Sequence, residues 1–209
     1  TLGNLAANSE NQDEIAAKGG IEAAVRVMVV HGSSQGVQEQ GCWALTNLAF
    51  KNAENKVAIG AKGGIEAVVQ AMGTHGSSER VQEAGCTSLI NFARNVDNKV
   101  AIAAKGGIEA VVKAMVAHVS SMKVQEQGCW ALYILAVNAE NRVAIAAKGG
   151  IEAVVKAMVV HVSSAGVEEK GCRALRNLAF KNEENTVAIG AKGGIEATVR
   201  AMGAHGSSE

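Results

Sequence analysis

The sequence predicts an all-α fold in which one helical unit repeats along the chain and stacks on its neighbours. A stretch that reads VQEQGCWALTNLAFK in its first full copy occurs four times, at 37–51, 81–95, 124–138 and 167–181. Each copy contains one cysteine, and successive cysteines are 44, 43 and 43 residues apart. A period in the forties is typical of a stacked helical array, in which each unit contacts only its neighbours.

The amino-acid composition indicates an aliphatic core and argues against two classes, nucleic-acid-binding and membrane-spanning proteins. Of the 209 residues 48% are apolar but only 3% are aromatic, so the core must be built from Ala, Val, Ile and Leu. Twenty basic residues balance twenty acidic ones, which leaves no general attraction to nucleic acid or to an anionic membrane. The sequence has no apolar run as long as a membrane span and no signal-peptide pattern at its start. We therefore expect neither nucleic-acid binding nor membrane insertion.

Each unit divides into a short, a medium and a long helix. The short helix ends at Lys-Gly-Gly, because glycine accepts the left-handed conformation that closes a helix and lysine suits the negative end of the dipole. The medium helix has a glutamate in its favourable first turn, and a serine pair after it offers caps to the long helix. In the first unit the three helices are predicted at Asn11–Lys18, Ile21–His31 and Val37–Phe50.

The other units repeat this triplet. Short helices are predicted near 54–62, 97–105, 140–148 and 184–192, medium helices near 65–75, 108–118, 151–161 and 195–205, and long helices near 79–94, 122–137 and 165–181. In the long helix, apolar residues at spacings of three and four form one stripe. The small Gly41 and Cys42 in that stripe are expected to let a neighbouring helix approach closely.

The cysteines are expected to be buried, reduced thiols. Equivalent residues in adjacent stacked repeats lie about 8–10 Å apart, one helix-packing distance, whereas a disulfide needs Cα atoms within about 7 Å. A chain without cross-links suits a reducing compartment. We therefore expect an intracellular protein of the cytoplasm or nucleus.

Two ladders resemble chemical motifs but are interpreted as structural. The five histidines, one per unit, are expected to bond carbonyls at the end of their own helix, since residues spread along an array cannot converge on one ion. The lysine of each Lys-Gly-Gly is expected to be offset by a glutamate four residues on, as Lys18 is by Glu22. No constellation of catalytic residues stands out from the repeat. The sequence predicts no cofactor, no metal and no enzymatic activity.

The third helix resembles a known family. Residues 43–49, Trp-Ala-Leu-Thr-Asn-Leu-Ala, are similar to the third-helix signature of armadillo (ARM) repeats, the family that includes the repeats of importin-α and β-catenin, and residues 130–132 repeat its first half. The resemblance covers the whole chain. It implies a right-handed α-solenoid superhelix with three helices per repeat of 43–44 residues.

On this basis residues 1–209 are expected to form one armadillo solenoid. It would comprise a partial third helix at 1–8, repeats at about 9–51, 52–95, 96–138 and 139–182, and a partial repeat at 183–209. Neither end carries a visible polar cap, so we expect a fragment of a longer array.

The copies differ from one another mainly in the third helix. The aligned variable positions read Gln40, Ala84, Gln127, Lys170; then Trp43, Thr87, Trp130, Arg173; then Thr46, Ile90, Tyr133, Arg176; then Asn47, Asn91, Ile134, Asn177; and Phe50, Arg94, Val137, Phe180. Their offsets along the helix place them on one face. This pattern predicts a surface that reads a ligand, although neutral drift on a solvated face would produce the same pattern.

The resemblance gives these positions roles. In armadillo proteins this face lines a concave groove that holds an extended peptide. Asn47, Asn91 and Asn177 would bond the peptide backbone, and Asn4 would be a fourth such residue. Trp43 and Trp130 would form pocket walls, and Gln40, Gln127 and Tyr133 would line the same groove. The implied function is that of a protein–protein interaction scaffold or adaptor.

The departures from the family pattern change the expected ligand. Ile134 interrupts the asparagine ladder, and the position three before the tryptophan carries no acid in any copy, so a receptor for basic localisation signals is disfavoured. In the last third helix Lys170, Arg173 and Arg176 make the groove side basic, together with Lys181. We expect an acidic or phosphorylated stretch of the ligand there. The alternative is a purely structural module that forms a homo-oligomer by end-to-end stacking, without a peptide ligand.

Overall fold

The computed structural model describes residues 2–205, which form fifteen α-helices in two compact units, Thr1–Ala110 and Val111–Glu209. Unit 1 contains α1 Leu2–Leu5, α2 Ser9–Ala17, α3 Gly20–Val30, α4 Gln35–Ala49, α5 Ala53–Ala61, α6 Gly64–Thr74, α7 Glu79–Phe92 and α8 Val96–Ala104. The unit boundary lies within α9, Gly107–Ala117. Unit 2 continues with α10 Met122–Leu135, α11 Ala139–Ala147, α12 Gly150–Val160, α13 Ala165–Ala179, α14 Glu183–Ala191 and α15 Gly194–His205.

The predicted triplet of short, medium and long helices is confirmed. The short helices begin and end about one residue earlier than predicted, and the long ones stop one or two residues sooner. The glycine turn is the local cause of the first boundary. Gly63 has φ +81°, a left-handed conformation, and a Cβ on Gly64 would lie 3.0 Å from the carbonyl oxygen of Ile59. Only glycine fits both positions of this turn.

Close packing between helices depends on small residues of the third helix. In unit 1 α3 packs on α4 and α6 on α7, while α4 and α7 pack on each other; in unit 2 α13 packs on α10 and α12. A Cβ on Gly41 would lie 2.4 Å from Cγ of Met28, so the α4 backbone touches that side chain directly. The expectation for Gly41 is therefore confirmed. The cysteines are free, with Cys172 half-buried and the other three buried.

One residue explains why some copies are 44 residues apart and others 43. After α4, Phe50 is extended and Lys51 adopts a positive φ of 54°, and Asn52 then caps α5 by accepting from the Asn55 amide at 2.9 Å. The junction after α13 has the same arrangement, with Lys181 at φ 50°. The shorter junction after α7 has no such residue, because Ala93 stays right-handed and Asn95 caps α8. The extra residue is thus accommodated within the turn.

In three of the repeats a buried glutamine of the long helix bonds the end of the medium helix. Gln38 Nε2 donates to the carbonyl oxygens of Met28 and His31 at 3.0 and 2.9 Å, which satisfies the end of α3. Gln82 and Gln125 make the same pair of bonds at the ends of α6 and α9. In α13 the equivalent residue is Glu168, which is 3% exposed. A carboxylate has no N–H group to donate in this way.

A second set of amides links successive repeats. In unit 1, Asn98 Nδ2 donates to the carbonyl oxygen of Lys56 at 2.7 Å, and in unit 2, Asn185 Nδ2 donates to that of Arg142 at 3.2 Å. Both asparagines are nearly fully buried. The sequence does contain a signal for this set, because an asparagine recurs at this position in every copy, at Asn11, Asn55, Asn98, Asn141 and Asn185.

The expected local pairing of the Lys-Gly-Gly lysine with the glutamate four residues on is wrong. Lys18 pairs with Glu14 at 2.6 Å, and Glu22 pairs at 2.5 Å with Lys62 of the next repeat. Lys105 with Glu66 and Lys192 with Glu152 form the same inter-repeat pair. The glutamate of each pair lies in the first turn of a medium helix, and the lysine ends the short helix of the repeat that follows.

The histidines also bond across repeats. His75 Nε2 lies 2.8 Å from the carbonyl oxygen of Gly32, and His161 Nε2 lies 2.7 Å from that of Val119. The prediction that each histidine bonds a carbonyl of its own helix is therefore wrong for these two residues. In both cases the bonded carbonyl belongs to the preceding repeat. The side chain of His205 and the terminal segment 206–209 lie outside the described residues. Among residues 2–205 no helix is both long and apolar enough to cross a bilayer.

Candidate functional site

The predicted groove residues lie on the third helices of both units. We call Gln40, Trp43 and Asn47 of α4 with Asn91 of α7 the unit-1 face. The unit-2 face consists of Gln127, Trp130 and Tyr133 of α10 with Arg173, Arg176 and Asn177 of α13. Gln40, Arg173 and Arg176 are exposed and the others are partly buried, so all ten side chains reach the surface.

On the unit-1 face the asparagine amides already have partners within the chain. Asn47 Nδ2 donates to the carbonyl oxygen of Gly3 at 2.8 Å, and Asn91 Nδ2 donates to that of Thr87 at 3.0 Å. Because an amide has two N–H donors and an acceptor oxygen, each side chain keeps one donor and its oxygen for a ligand. The bond from Asn47 also holds α4 against α1. Asn47 is therefore a structural residue as well as a candidate binding residue.

The unit-2 face combines aromatic rings with cations from the neighbouring helix. Lys170 Nζ lies 5.1 Å from the centroid of the Trp130 ring, and the guanidinium of Arg173 lies 5.9 Å from that of Tyr133. Both distances are within the range of cation–π attraction. Asn177 Nδ2 donates to the carbonyl oxygen of Tyr133 at 3.0 Å, which fixes α13 against α10. The structure thus brings Trp130, Tyr133, Arg173 and Asn177 together.

A carboxylate that the sequence analysis did not identify lies beside this face. Glu169 pairs with Lys170 at 2.9 Å and with Arg173 at 2.8 Å. The hydrogen bond from Lys170 holds the pKa of Glu169 below its usual value, although partial burial opposes this shift. One carboxylate faces two cations, and no described carboxylate lies within ion-pair distance of Arg176. The charge of this part of unit 2 is therefore positive.

Some of the variable positions are not on the surface. Ala84, Thr46 and Ile90 are buried, with exposed fractions of 0%, 5% and 1%. Thr46 Oγ1 and Ser88 Oγ are 2.8 Å apart and form a hydrogen bond between α4 and α7. For these three residues the interpretation as ligand-reading positions is wrong, because their side chains pack between helices.

A cavity of about 440 Å³ opens next to the unit-2 face. It is lined by Ala136, Val137, Arg142, Arg176, Asn177 and Phe180. Arg142 is a residue of α11 that the sequence analysis did not single out. The signal that could have found it is variation within the otherwise uniform short helix, where this position reads Gln12, Lys56, Lys99, Arg142 and Thr186. Among residues 2–205 no group of three or more side chains is arranged to hold a metal ion.

The sequence was compared with models of protein families and with curated proteins. A family model described as LRRK2 ARM repeat matches residues 3–135. No curated protein matches the sequence.

Solved structures give a second comparison. An engineered protein crystallised by the Northeast Structural Genomics Consortium is 27% identical, with a TM-score of 0.85, over 100% of this chain and 81% of that one. A designed armadillo repeat protein in complex with the peptide (KR)4 is 21% identical, with a TM-score of 0.84, over 99% of this chain and 84% of that one. These matches confirm the predicted class of all-α helical repeats.

Proposed function

This chain belongs to the armadillo family described as LRRK2 ARM repeat, and from that premise we propose that it is a protein–protein interaction scaffold. Its third-helix faces bind an extended segment of another protein, and the segment that contacts the unit-2 face is acidic. The observation that carries this proposal is the pairing of Trp130 and Tyr133 with the cations Lys170 and Arg173 on the adjacent helix. We also propose an intracellular location, because all four thiols are free.

Support for backbone binding comes from the remaining capacity of the asparagines. Asn47, Asn91 and Asn177 each use one amide hydrogen within the chain and keep a donor and an acceptor. An extended peptide backbone presents the complementary pair of groups. Each such bond contributes about 0.5–1.5 kcal/mol net, so three of them support weak to moderate affinity.

Support for an acidic ligand comes from the charges on α13. Lys170 and Arg173 share a single carboxylate, that of Glu169, and no described carboxylate pairs with Arg176. The side chains at the Gln40 position include no acid. The designed armadillo protein with the same fold is in complex with (KR)4, a basic peptide. Because the charge on the unit-2 face is of the sign carried by that peptide, we expect this chain to prefer the opposite charge.

The proposal is tested by fluorescence anisotropy with two labelled octapeptides, (Asp-Glu)4 and (Lys-Arg)4, at low salt. We expect only the acidic peptide to bind the wild type, and its affinity to fall at least tenfold in the variant K170E/R173E. The control variant R80E/R200E makes the same change in net charge at two exposed arginines outside both faces and should bind like the wild type. Equal binding of the peptide to all three proteins would refute the proposal.

The alternative of end-to-end assembly is tested with the same protein. Light scattering reports the mass of the wild type and of the triple variant W43A/N47A/N91A as concentration rises. If neither octapeptide binds and the mass climbs equally in both proteins, assembly replaces peptide binding as the function. A constant mass together with peptide binding rejects assembly.

A further inference from the structure

We propose that the 440 Å³ cavity of unit 2 binds the side chain of a phosphorylated tyrosine. This inference rests on the proposed function, since the tyrosine would belong to the segment bound on the unit-2 face, which shares Arg176 and Asn177 with the cavity. It goes further by naming one side chain of the ligand and the residues that recognise it.

The cavity is lined by the buried side chain of Arg142. This residue is only 8% exposed, and its Nη1 atom donates to the carbonyl oxygens of Ala136 and Val137 at 3.2 and 3.4 Å. No described carboxylate lies within ion-pair distance of it. A guanidinium has five N–H donors, so most of them remain for a ligand in the cavity. Because a buried charge is unfavourable without a counter-charge, the position favours an anion.

Large apolar side chains line the same cavity as this charge and form its apolar rim. Phe180 and Val137 line the cavity and are 58% and 56% exposed, so both present apolar surface to a ligand there. The Phe180 ring has Arg142 at 5.7 Å and Lys181 at 5.5 Å from its centroid, and these cation–π contacts hold it in place. A flat aromatic ring of a ligand would pack on Phe180 and Val137 and cover both.

The cavity is lined by two cations. Arg142 and Arg176 both line the cavity, and no acidic residue is among its lining residues. Lys181 contacts the ring of Phe180, which is one of them. A phosphate on tyrosine carries close to two negative charges and has three acceptor oxygens, which suits two guanidinium forks. The carboxylate of an aspartate or glutamate carries one charge and has no ring to cover the apolar rim. The combination of ring and dianion therefore selects phosphotyrosine among acidic side chains.

The same register in unit 1 provides a matched comparison. There Lys56 occupies the Arg142 position and is 9% exposed. Burial, followed by the charge of the nearby Arg94, lowers the pKa of Lys56. This copy has Arg94 at the position that Phe180 takes in unit 2 and Phe50 at the position of Val137, so a cation replaces the ring of Phe180 there. Substitution of Lys56 removes a buried cation of the same register without touching the proposed site.

The experiment is a calorimetric titration of the full 209-residue chain with phenyl phosphate, phenol and inorganic phosphate. We expect phenyl phosphate to bind at least tenfold more tightly than either fragment of it. The variant R142T introduces the residue that the next copy carries at this position, Thr186, and should weaken binding at least tenfold, whereas K56T should not. R176Q changes an exposed residue and is therefore expected to fold even if R142T does not. It should weaken the binding of phenyl phosphate at least fivefold.

Two results would overturn the proposal. Equal affinity for phenyl phosphate and inorganic phosphate would show that the ring is not recognised. Equal affinity of wild type and R176Q for phenyl phosphate would place binding elsewhere. Failure of the proposed function is separable, because phenyl phosphate does not depend on an extended peptide and the K170E/R173E variant changes no cavity residue. A wild-type chain that binds phenyl phosphate but not (Asp-Glu)4 supports the cavity and rejects the unit-2 face.

Discussion

Gly41 and Met28 are in direct contact, and a Cβ on residue 41 would lie 2.4 Å from Met28 Cγ and 2.6 Å from its sulfur. Met28 is itself 2% exposed, so a Cβ on residue 41 would have to displace a buried side chain. Gly85 with Met72, Gly128 with Met115 and Gly171 with Met158 repeat the contact. The distance between medium and long helices is thus set by a glycine and a methionine.

Replacement of Gly41 by alanine should destabilise the chain by about 1–3 kcal/mol, because the added methyl group overpacks a filled site. The measurement is the urea midpoint followed by circular dichroism. The control is Gly73→Ala in α6, where no atom lies within 4 Å of the new Cβ and where we expect a gain of about 0.5–1 kcal/mol from helix propensity. Changes of the same sign in both variants would contradict the packing argument.

Replacement of Glu168 by glutamine should stabilise unit 2 by about 1–3 kcal/mol. The new amide can donate to the carbonyls of Met158 and His161, as Gln125 donates to those of Met115 and His118. Thermal melting at pH 7 measures the effect. The reciprocal variant, Gln125→Glu, should lower the melting temperature, and an unchanged temperature in both would reject a role for the amide.

Replacement of Lys51 by glycine should raise stability by about 0.5–1 kcal/mol, since glycine adopts the positive φ of 54° without the penalty of a side chain. Lys51→Val should lower stability by about 1–2 kcal/mol, because a branched side chain fits this conformation worst. As a control, Lys156→Gly on the exposed side of α12 should lower stability by about 1 kcal/mol. Urea midpoints of the three variants decide the matter. A loss of stability in Lys51→Gly would refute the argument.

The thiols should differ in reactivity. Burial raises the pKa of Cys42 and of Cys86 to about 12, so at pH 8 almost no thiolate is present at either residue. Burial, then the charge of Glu168, also raises the pKa of Cys172, but this residue is half-exposed. Mass spectrometry after iodoacetamide treatment should find Cys172 alkylated first, and faster still in E168Q. Rapid alkylation of Cys42 in the native protein would contradict this prediction.

The sequence alone predicted the features that depend on local chemistry. The Lys-Gly-Gly turn, the serine caps and the stripe containing Gly41 each involve neighbours within a few residues, so the helix triplet could be located without a structure. Pairings between repeats could not be located in this way. Glu22 bonds Lys62 rather than Lys18 because stacking brings the next short helix beside it, and the period of a repeat does not define which side chains then meet.

At the candidate site, too, the sequence predicts what depends on neighbouring residues but not what depends on how the helices pack. A helical stripe identifies the face that varies, but not whether a neighbouring helix covers it, which is why Thr46 and Ile90 were taken for surface residues. The stripe on the long helices does not reveal Arg142, because this residue belongs to a short helix. Its contribution appears only when α11 and α13 are seen to line one cavity.

The lysine–glutamate pairs between repeats give the array a direction. Lys62 is joined to the repeat before it through Glu22, and Glu66 to the repeat after it through Lys105, so one copy carries a different half of the pair on each side. Any copy can therefore follow any other, provided that both run the same way. Duplication or loss of one copy in frame keeps the order of glutamate and lysine, so unequal recombination can lengthen or shorten such a gene without placing like charges opposite each other in these pairs.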